Sequence, residues 1–134
     1  MRDVTTDITV LLDQYVAAWN EADHERRRSA VGRLYADHGR IVTRIVEVNG
    51  GEAILEHIGD VFAEFVGSSE NRFRLTASTG HHRSILLRWE LTADGLPAAG
   101  SGLNVLLLGP DGRIEADHQF AEPQPAHESR AGGR

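Results

Sequence analysis

Asp117 is a candidate for acid/base chemistry because of the strand on which it lies. The stretch GPDGRIEADHQF, residues 109–120, predicts a turn followed by a strand. Alternation along that strand puts Glu115, Asp117 and Gln119 on one face, and an apolar set that includes His118 on the other. A polar strand face contacts either solvent or a polar pocket inside the protein, and the second case would make Asp117 a proton carrier.

His57 is the second titratable candidate, and it lies in a helical pattern over residues 52–66. Its ordinary pKa of about 6.5 suits general-base work near neutral pH, although a hydrogen-bonded structural histidine fits the pattern equally well. Tyr15 and Trp19 share one helix face, where they are either core aromatics or pocket walls. Trp89 lies on the apolar face of a strand and is either core or the floor of a ligand site.

Composition excludes several kinds of chemistry. The 134 residues include no cysteine, and all fourteen basic residues are arginine, so a thiol nucleophile and a lysine Schiff base are ruled out. The net charge of −6 and a single basic cluster at 25–29 argue against nucleic acid as a partner. His81 and His82 are adjacent, so on a strand they point to opposite faces and do not share a metal ion.

Neither a membrane segment nor a secretory signal is predicted. No apolar run reaches the length of about 20 residues that a membrane-spanning helix needs. The N-terminus, MRDVTTDITVLL, carries acidic residues and a short apolar run, which is a poor secretory signal. We therefore expect a cytoplasmic protein without membrane contact, metal or cofactor.

The elements that must position these side chains form an α+β pattern. Three helices are predicted at 4–20, 23–35 and 52–66, and Gly39 is expected to close the second. Strands are predicted at 40–48, 71–79, 83–92, 97–108 and 113–120, and turn residues between the last four indicate an antiparallel meander. A single domain would cover 1–121, followed by a flexible tail at 122–134 that is rich in Pro, Gly and polar residues.

The order of several strings resembles the nuclear transport factor 2-like superfamily, with features of its SnoaL-like polyketide cyclases and its ketosteroid isomerases. The strings are YVAAWNEAD, LYADHGRIV, GGEAILEHI, LRWEL and PDGRIEADHQF, and the resemblance spans about residues 4–121. It implies a cystatin-like cone, in which a curved antiparallel sheet wraps around the N-terminal helices and encloses a deep pocket. It also implies a homodimer that packs sheet against sheet.

The resemblance assigns roles to individual positions. Tyr15 matches the tyrosine that donates to the oxyanion in the isomerases, and Asn104 matches their second donor, an aspartate. Thr43 matches the proton-shuttling aspartate of the isomerases, and this departure argues against the isomerase reaction itself. His57 and Asp117 match pocket-facing positions, and in SnoaL-like cyclases a late-strand aspartate typically serves as acid/base.

The function implied is a cofactor-independent acid/base enzyme of the isomerase or cyclase type. Its substrate would be a hydrophobic polycyclic or polyketide-like small molecule, and the alternative is a non-catalytic ligand-binding or dimerisation module of the same fold. The expected substrate contacts are Trp19, Phe62, Phe65, Trp89, Thr43 and Gln119. The expected outer sheet face, which would meet a second subunit, consists of Leu103, Val105, Leu107, Ile114, Ala116 and Phe120.

Overall fold

The computed structural model describes the backbone of residues 4–122 and the side chains of residues 8–122. Within this range the chain forms three helices and six strands. The helices are α1 (Val4–Trp19), α2 (His24–Leu34) and α3 (Gly51–Phe65). The strands are β1 (Tyr35–Val42), β2 (Glu47–Asn49), β3 (Arg72–His81), β4 (Ser84–Thr92), β5 (Gly100–Leu108) and β6 (Ile114–Glu122). The predicted α+β class is confirmed.

The six strands form one curved, mixed sheet in the order β2-β1-β6-β5-β4-β3. The meander from β3 to β6 is antiparallel throughout, as predicted. β1, however, pairs with β6 in parallel, so the sheet is not purely antiparallel. The sheet is also open, with β2 and β3 at its edges, rather than a closed barrel.

The core lies between the inner face of the sheet and the three helices. Its members include Leu12 from α1, Leu34 from α2, Ile58 from α3 and Leu87 and Leu106 from the sheet, all almost fully buried. The apolar stripe of α3 at Ile54, Leu55 and Ile58 provides the central contact. Burial of such side chains is worth about 1.5–3 kcal/mol each, so it determines where the helices sit on the sheet.

The connection between α2 and the sheet differs from the prediction. Asp23 caps α2 as expected, accepting from the backbone N–H of Arg26 at 2.8 Å. The helix nevertheless ends at Leu34, and Gly39 lies in β1 instead of closing the helix. The pairing of β1 with β6 shifts register between Tyr35 and Arg40, and a Cβ on Gly39 would approach the carbonyl oxygen of Ile114 to 2.9 Å. Gly39 therefore lets β1 lie close against β6.

A second irregularity changes which side chains of β6 face the core. Leu107 pairs with Ala116 but Leu108 pairs with Ile114, so Glu115 is an extra residue in the ladder. Ile114 consequently belongs to the core cluster, and Ala116 is also buried. The prediction that Ile114 faces outward is therefore wrong, whereas Ala116 shares the outer face of its ladder partner Leu107 and is buried there as a small side chain.

The far end of the chain is described only in part. β6 continues to Glu122, one residue into the segment expected to be a tail, and Glu122 accepts a hydrogen bond from Arg88 at 2.9 Å. The rest of the predicted tail, 123–134, lies outside the described residues. Among the helices that the structure describes, none has the length and apolar character to span a membrane.

Candidate active site

Asp117 lies on the inner face of the sheet at its most buried point. In the ladders it pairs with Ile41 on β1 and with Leu106 on β5. These two neighbours and Asp117 itself are all 0% exposed. A carboxyl group in such surroundings is rare, because removing its charge from water is costly unless hydrogen bonds replace the lost hydration.

Three side chains donate hydrogen bonds to one oxygen of this carboxyl group. The hydroxyl of Tyr35 lies 2.6 Å from Asp117 Oδ2, the hydroxyl of Tyr15 lies at 2.8 Å, and Nε2 of Gln119 lies at 3.2 Å. The other oxygen, Oδ1, is buried and has no hydrogen-bond partner within the protein. The carboxylate is thus fixed through one oxygen, while the other can still accept a proton or a hydrogen bond.

The network continues from Tyr15 across two strands. Nδ2 of Asn104 donates to the hydroxyl of Tyr15 at 2.8 Å, and Nε1 of Trp89 donates to Oδ1 of Asn104 at 3.0 Å. The indole, amide and phenol groups therefore all donate in one direction, towards Asp117. Aligned hydrogen bonds of this kind polarise one another, which stabilises negative charge at the end of the chain.

Burial and hydrogen bonding act in opposite directions on the pKa of Asp117. Removal from water raises it, while the bonds from Tyr35, Tyr15 and Gln119 lower it, and together they leave the pKa raised to about 6. Burial, followed by the nearby charge of Asp117, raises the pKa of Tyr15 and of Tyr35 well above the ordinary phenol value. Both tyrosines therefore stay protonated donors at neutral pH, while Asp117 titrates within reach of it.

Aromatic rings form an apolar wall next to this network. The ring of Trp19 lies 6.2 Å from each of Tyr15, His57 and Phe73, measured between centroids. Phe73 in turn packs edge-on against Trp89 at 5.5 Å. Nε1 of Trp19 is buried and has no hydrogen-bond partner within the protein. Apart from the imidazole of His57, the wall is therefore apolar, and it leaves the indole N–H of Trp19 available as a donor.

His57 is part of this wall and lies apart from the hydrogen-bond network. It is half-buried on α3 with its ring edge-on to Trp19. Burial lowers the pKa of His57, and the charge of Asp60 opposes that shift only in part. The imidazole is consequently neutral at pH 7.

Three of the expected substrate contacts lie elsewhere. Thr43 follows β1 in a tight turn, where its hydroxyl accepts from the backbone N–H of Val46 at 3.0 Å. Phe62 packs under the guanidinium of Arg27, 5.1 Å from its centroid, and so faces α2. Phe65 is the last residue of α3 and is 42% exposed, because the chain turns there and buries the next residue, Val66. These three side chains therefore lie away from the hydrogen-bond network around Asp117.

Tyr35 and Phe73 were missed by sequence reasoning. Tyr35 is the last residue of the predicted second helix, 23–35, whereas in the structure it is the first residue of β1 and reaches Asp117. The available signal was that Tyr35 lies between the end of the helical pattern and the β-branched run that begins at Ile41. Phe73 carried none, because its contacts with Trp19 and Trp89 depend on the curvature of the sheet.

Apart from Gln119 and Trp89, which are partly exposed, the network is closed to solvent in this structure. Tyr15, Tyr35 and Asn104 are at most 4% exposed. Two surface cavities, of about 370 and 630 Å³, lie beside α2 and beside β3, and neither is lined by Asp117. His81 and His82 lie at the exposed turn between β3 and β4, and the residues that the structure describes include no cluster of three His, Asp or Glu side chains able to hold a metal ion.

Comparisons with known proteins identify the fold. A protein from Agrobacterium tumefaciens, provisionally named an isomerase of the SnoaL-like family, is 29% identical, with 88% of this chain and 99% of that one covered at a TM-score of 0.78. A provisionally named SnoaL-like polyketide cyclase from Jannaschia sp. is 15% identical, with 100% and 98% covered at 0.72. A provisionally named polyketide cyclase from Sinorhizobium meliloti is 14% identical, with 81% and 92% covered at 0.63.

No protein-family model and no curated protein matches the sequence. A structure from Cytophaga hutchinsonii described as a nuclear transport factor 2-like protein of unknown function also superposes, at 12% identity and a TM-score of 0.61, over 87% of this chain and 91% of that one. With three helices on an open, curved mixed sheet and these structural neighbours, the chain has the SnoaL-like form of the nuclear transport factor 2-like fold.

Proposed function

We propose that this protein is a cofactor-independent acid/base enzyme of the isomerase or cyclase type. Its substrate is a hydrophobic small molecule, polycyclic or polyketide-like, with an acidic C–H beside a carbonyl group. The observation that carries the proposal is the carboxyl group of Asp117, which is wholly buried, held through Oδ2 by two tyrosines, and left without a partner at Oδ1. A structural carboxyl would be expected to satisfy both oxygens, because an unpaired buried acceptor costs about 1–3 kcal/mol.

In the proposed reaction Oδ1 of Asp117 removes the proton. With a pKa of about 6, the carboxyl is mostly ionised at pH 7 and can still release the proton afterwards. The C–H bond breaks, its electron pair moves into an enolate, and the proton rests on Asp117. An isomerase returns that proton to another carbon, whereas a cyclase forms a C–C bond and delivers the proton to the new alkoxide.

Tyr15 and Asn104 act on the oxyanion in this scheme. In the ligand-free state the Tyr15 hydroxyl donates to Asp117. Once Asp117 is protonated, that bond loses its charge-assisted strength, and the Tyr15 hydroxyl is free to turn towards the enolate oxygen. Asn104 keeps Tyr15 oriented, because its amide donates to the same hydroxyl. The network thus couples proton removal to stabilisation of the oxygen.

Asp117 is the preferred base over His57. The carboxyl of Asp117 contacts both tyrosines directly, whereas the contact recorded for His57 is the edge of the Trp19 ring. A general base must lie within hydrogen-bond reach of the proton that it removes, and a proton beside Asp117 would also lie close to the tyrosine that is proposed to bind the oxyanion. His57, Trp19 and Trp89 then provide the apolar wall, and Gln119 orients the carboxyl from the side.

The proposal is tested by deuterium exchange, which requires no knowledge of the natural product. The protein is incubated with 2-tetralone, a bicyclic ketone with acidic α protons, in deuterated buffer, and incorporation is followed by mass spectrometry. Wild-type protein is expected to accelerate exchange, and Asp117→Asn to lose about 10²–10⁴-fold of that acceleration, the usual contribution of a general base.

The matched control is Asp13→Asn, which makes the same chemical change at an exposed position of α1. It should exchange at the wild-type rate. Equal rates for wild type and Asp117→Asn would contradict a role for Asp117 as the base.

A second candidate function is a ligand-binding or dimerisation module of the same fold. The observation that favours it is the outer face of the sheet, where Leu86, Leu107 and Phe120 are exposed large apolar side chains. An apolar sheet face of this kind is usually covered by a partner. We propose that the protein forms a homodimer through this face whichever function it has. The deuterium-exchange assay therefore distinguishes an enzyme from a non-catalytic module, whereas the oligomeric state does not.

A further inference from the structure

The closed state of the site requires an entrance. Asp117 is 0% exposed, and the tyrosines and Asn104 that surround it are nearly as buried. An apolar small molecule can therefore reach Oδ1 only if at least one side chain moves. The side chain best placed to move is one that touches both the buried aromatic wall and a surface cavity.

Phe73 meets this condition. Its ring packs against Trp19 and Trp89, which connect to Tyr15 and Asn104 on the inner side. Phe73 also lines the cavity of about 630 Å³, which is bounded by the end of α1, the start of β3 and the loop after β4. Asn20, Thr92 and Leu96 are among the other residues that line this cavity.

The two tryptophans beside Phe73 are held more firmly than Phe73 is. Trp89 lies on β4 between two neighbouring strands, donates to Asn104, and packs so closely on Gly102 that a Cβ there would overlap its ring. Trp19 is 7% exposed within α1. Phe73 has no polar side-chain atom and lies on β3, an edge strand paired only with β4. Rotation of the Phe73 ring therefore breaks no side-chain hydrogen bond, whereas motion of the Trp89 ring breaks its bond to Asn104.

The side chain of Asn20 holds the backbone of Phe73 through two hydrogen bonds, which we call the latch. Nδ2 of Asn20 donates to the carbonyl oxygen of Phe73 at 2.8 Å, and the N–H of Phe73 donates to Oδ1 of Asn20 at 2.8 Å. Asn20 thus occupies the side of the edge strand that has no neighbouring strand. Further along β3, the pairing with β4 shifts between Leu75 and Ala77, which bends the strand just beyond this segment. The start of β3 is consequently joined to the body of the protein by Asn20 and a short ladder.

We infer that the cavity beside β3 is the entrance through which an apolar small molecule reaches Asp117, with Phe73 as the gate and Asn20 as its latch. The inference rests on the proposed function for what the molecule does once inside. It assigns the ligand's path to the open end of the sheet between α1 and the loop after β4. Displacement of the Phe73 ring opens the wall between Trp19 and Trp89.

The experiment uses the intrinsic fluorescence of the protein. Trp19 and Trp89 are the only two tryptophans of the chain, and both touch Phe73, so acrylamide quenching reports directly on opening of the gate. Phe73→Ala is expected to raise the quenching constant severalfold. Asn20→Ala, which removes both latch bonds but leaves the ring, is expected to raise it by a smaller factor. Phe65→Ala, at an exposed aromatic on α3, should leave it unchanged.

Hydrogen exchange distinguishes an open gate from a loosened protein. The amides of β5 and β6 should keep wild-type protection in both variants, because the gate lies at the opposite edge of the meander. Wild-type quenching in Phe73→Ala and Asn20→Ala would overturn the inference, as would equal loss of protection throughout the sheet. If Phe73→Ala does not fold, the quenching constant of Asn20→Ala is sufficient to test the inference. Acrylamide quenching does not depend on catalysis. An unchanged quenching constant would therefore contradict the gate alone, and unchanged deuterium incorporation into 2-tetralone in Asp117→Asn would contradict the proposed function alone.

Discussion

The hydroxyl of Tyr35 lies 2.6 Å from Oδ2 of Asp117, across the parallel pair formed by β1 and β6. This pair exists because α2 ends at Leu34 and the chain enters the sheet directly at Tyr35. The ladder places Tyr35 opposite Ile114 and then shifts register, so the side chain spans to Asp117 further along β6. The irregular join of helix and sheet thus supplies the shortest hydrogen bond to the buried carboxyl.

Tyr35→Phe should raise the pKa of Asp117 above its value of about 6. The bond from Tyr35 is the largest influence that lowers this pKa, and burial remains when the hydroxyl is removed. Carbon-13 NMR titration of the Asp117 carboxyl measures the change. In the pH profile of the deuterium-exchange rate, the midpoint of the decrease at acidic pH should rise by the same amount as the pKa of Asp117.

The same variant should lose about 1.5–3 kcal/mol of unfolding free energy above the carboxyl pKa, as expected for a hydrogen bond to a charged group. Below it, where Asp117 is neutral, the loss should be smaller. A pKa of Asp117 that does not respond to the loss of the hydroxyl would show that this short contact does not act on the charge.

Asp117 should make the protein less stable as the pH rises from about 4 to about 6. Its pKa is raised from 3.8 to about 6 on folding, so the folded state binds more protons than the unfolded state in this window. The stabilising contribution is complete below 3.8 and is lost as the pH passes through about 6. This shift in the pKa of Asp117 corresponds to a contribution to the free energy of unfolding on the order of 3 kcal/mol.

This contribution is isolated by comparing denaturant unfolding of wild type and Asp117→Asn at several pH values. The difference between the two free energies should change across the window, while Asp13→Asn should parallel wild type. A constant difference between wild type and Asp117→Asn would indicate that Asp117 titrates at its ordinary pKa in the folded protein.

A dimer through the outer sheet face is expected at micromolar concentration. Phe120, at 55% exposure, and Leu107 and Leu86 form this face with half-buried Leu103 and Val105. Phe120→Asp should shift the sedimentation coefficient to that of a monomer, because a buried unpaired charge is strongly unfavourable at an interface. Leu96→Asp, an exposed apolar residue in the loop after β4, is the control that should stay dimeric. A wild-type monomer would rule out this interface.

Sequence reasoning predicted the three helices, the four strands of the meander and the inner face of the late strands, but it gave one strand at 40–48 where the structure has β1 and β2. Asn104 and Asp117 lie together because strand alternation and the turn between β5 and β6 leave few choices of register. The antiparallel meander followed from turn residues alone. Alternation and turns are local features, whereas the choice of which strand face points inward rested on the family resemblance.

The irregular positions could not be predicted in this way. The sequence predicts that Gly39 ends a helix, as glycine often does, whereas Gly39 lies in β1 and allows the close approach of β6. The extra residue at Glu115 moved Ile114 into the core, and a bulge has no sequence signal of its own here. Phe65 fitted the helical period but falls at the end of α3, where the chain turns away. In each case a tertiary contact overrides the local pattern.

Gly102→Ala should disrupt the far end of the hydrogen-bond network. A Cβ at this position would overlap the Trp89 ring and lie 2.8 Å from Nε1, the atom that donates to Asn104. The indole must then move, which breaks the bond that orients Asn104 and hence Tyr15. We expect a loss of about 1–3 kcal/mol in unfolding free energy, the usual range for overpacking. The rate of deuterium exchange should fall as well, since Tyr15 is no longer held in place.

Gly100→Ala is the control on the same strand, because its Cβ would meet only the Cβ of Leu91, at an ordinary 3.8 Å. Denaturant unfolding and deuterium exchange should both stay near wild type in this variant. If Gly102→Ala slows exchange no more than Gly100→Ala does, Trp89 and Asn104 do not position Tyr15. In that case the network beyond Tyr15 serves the fold alone.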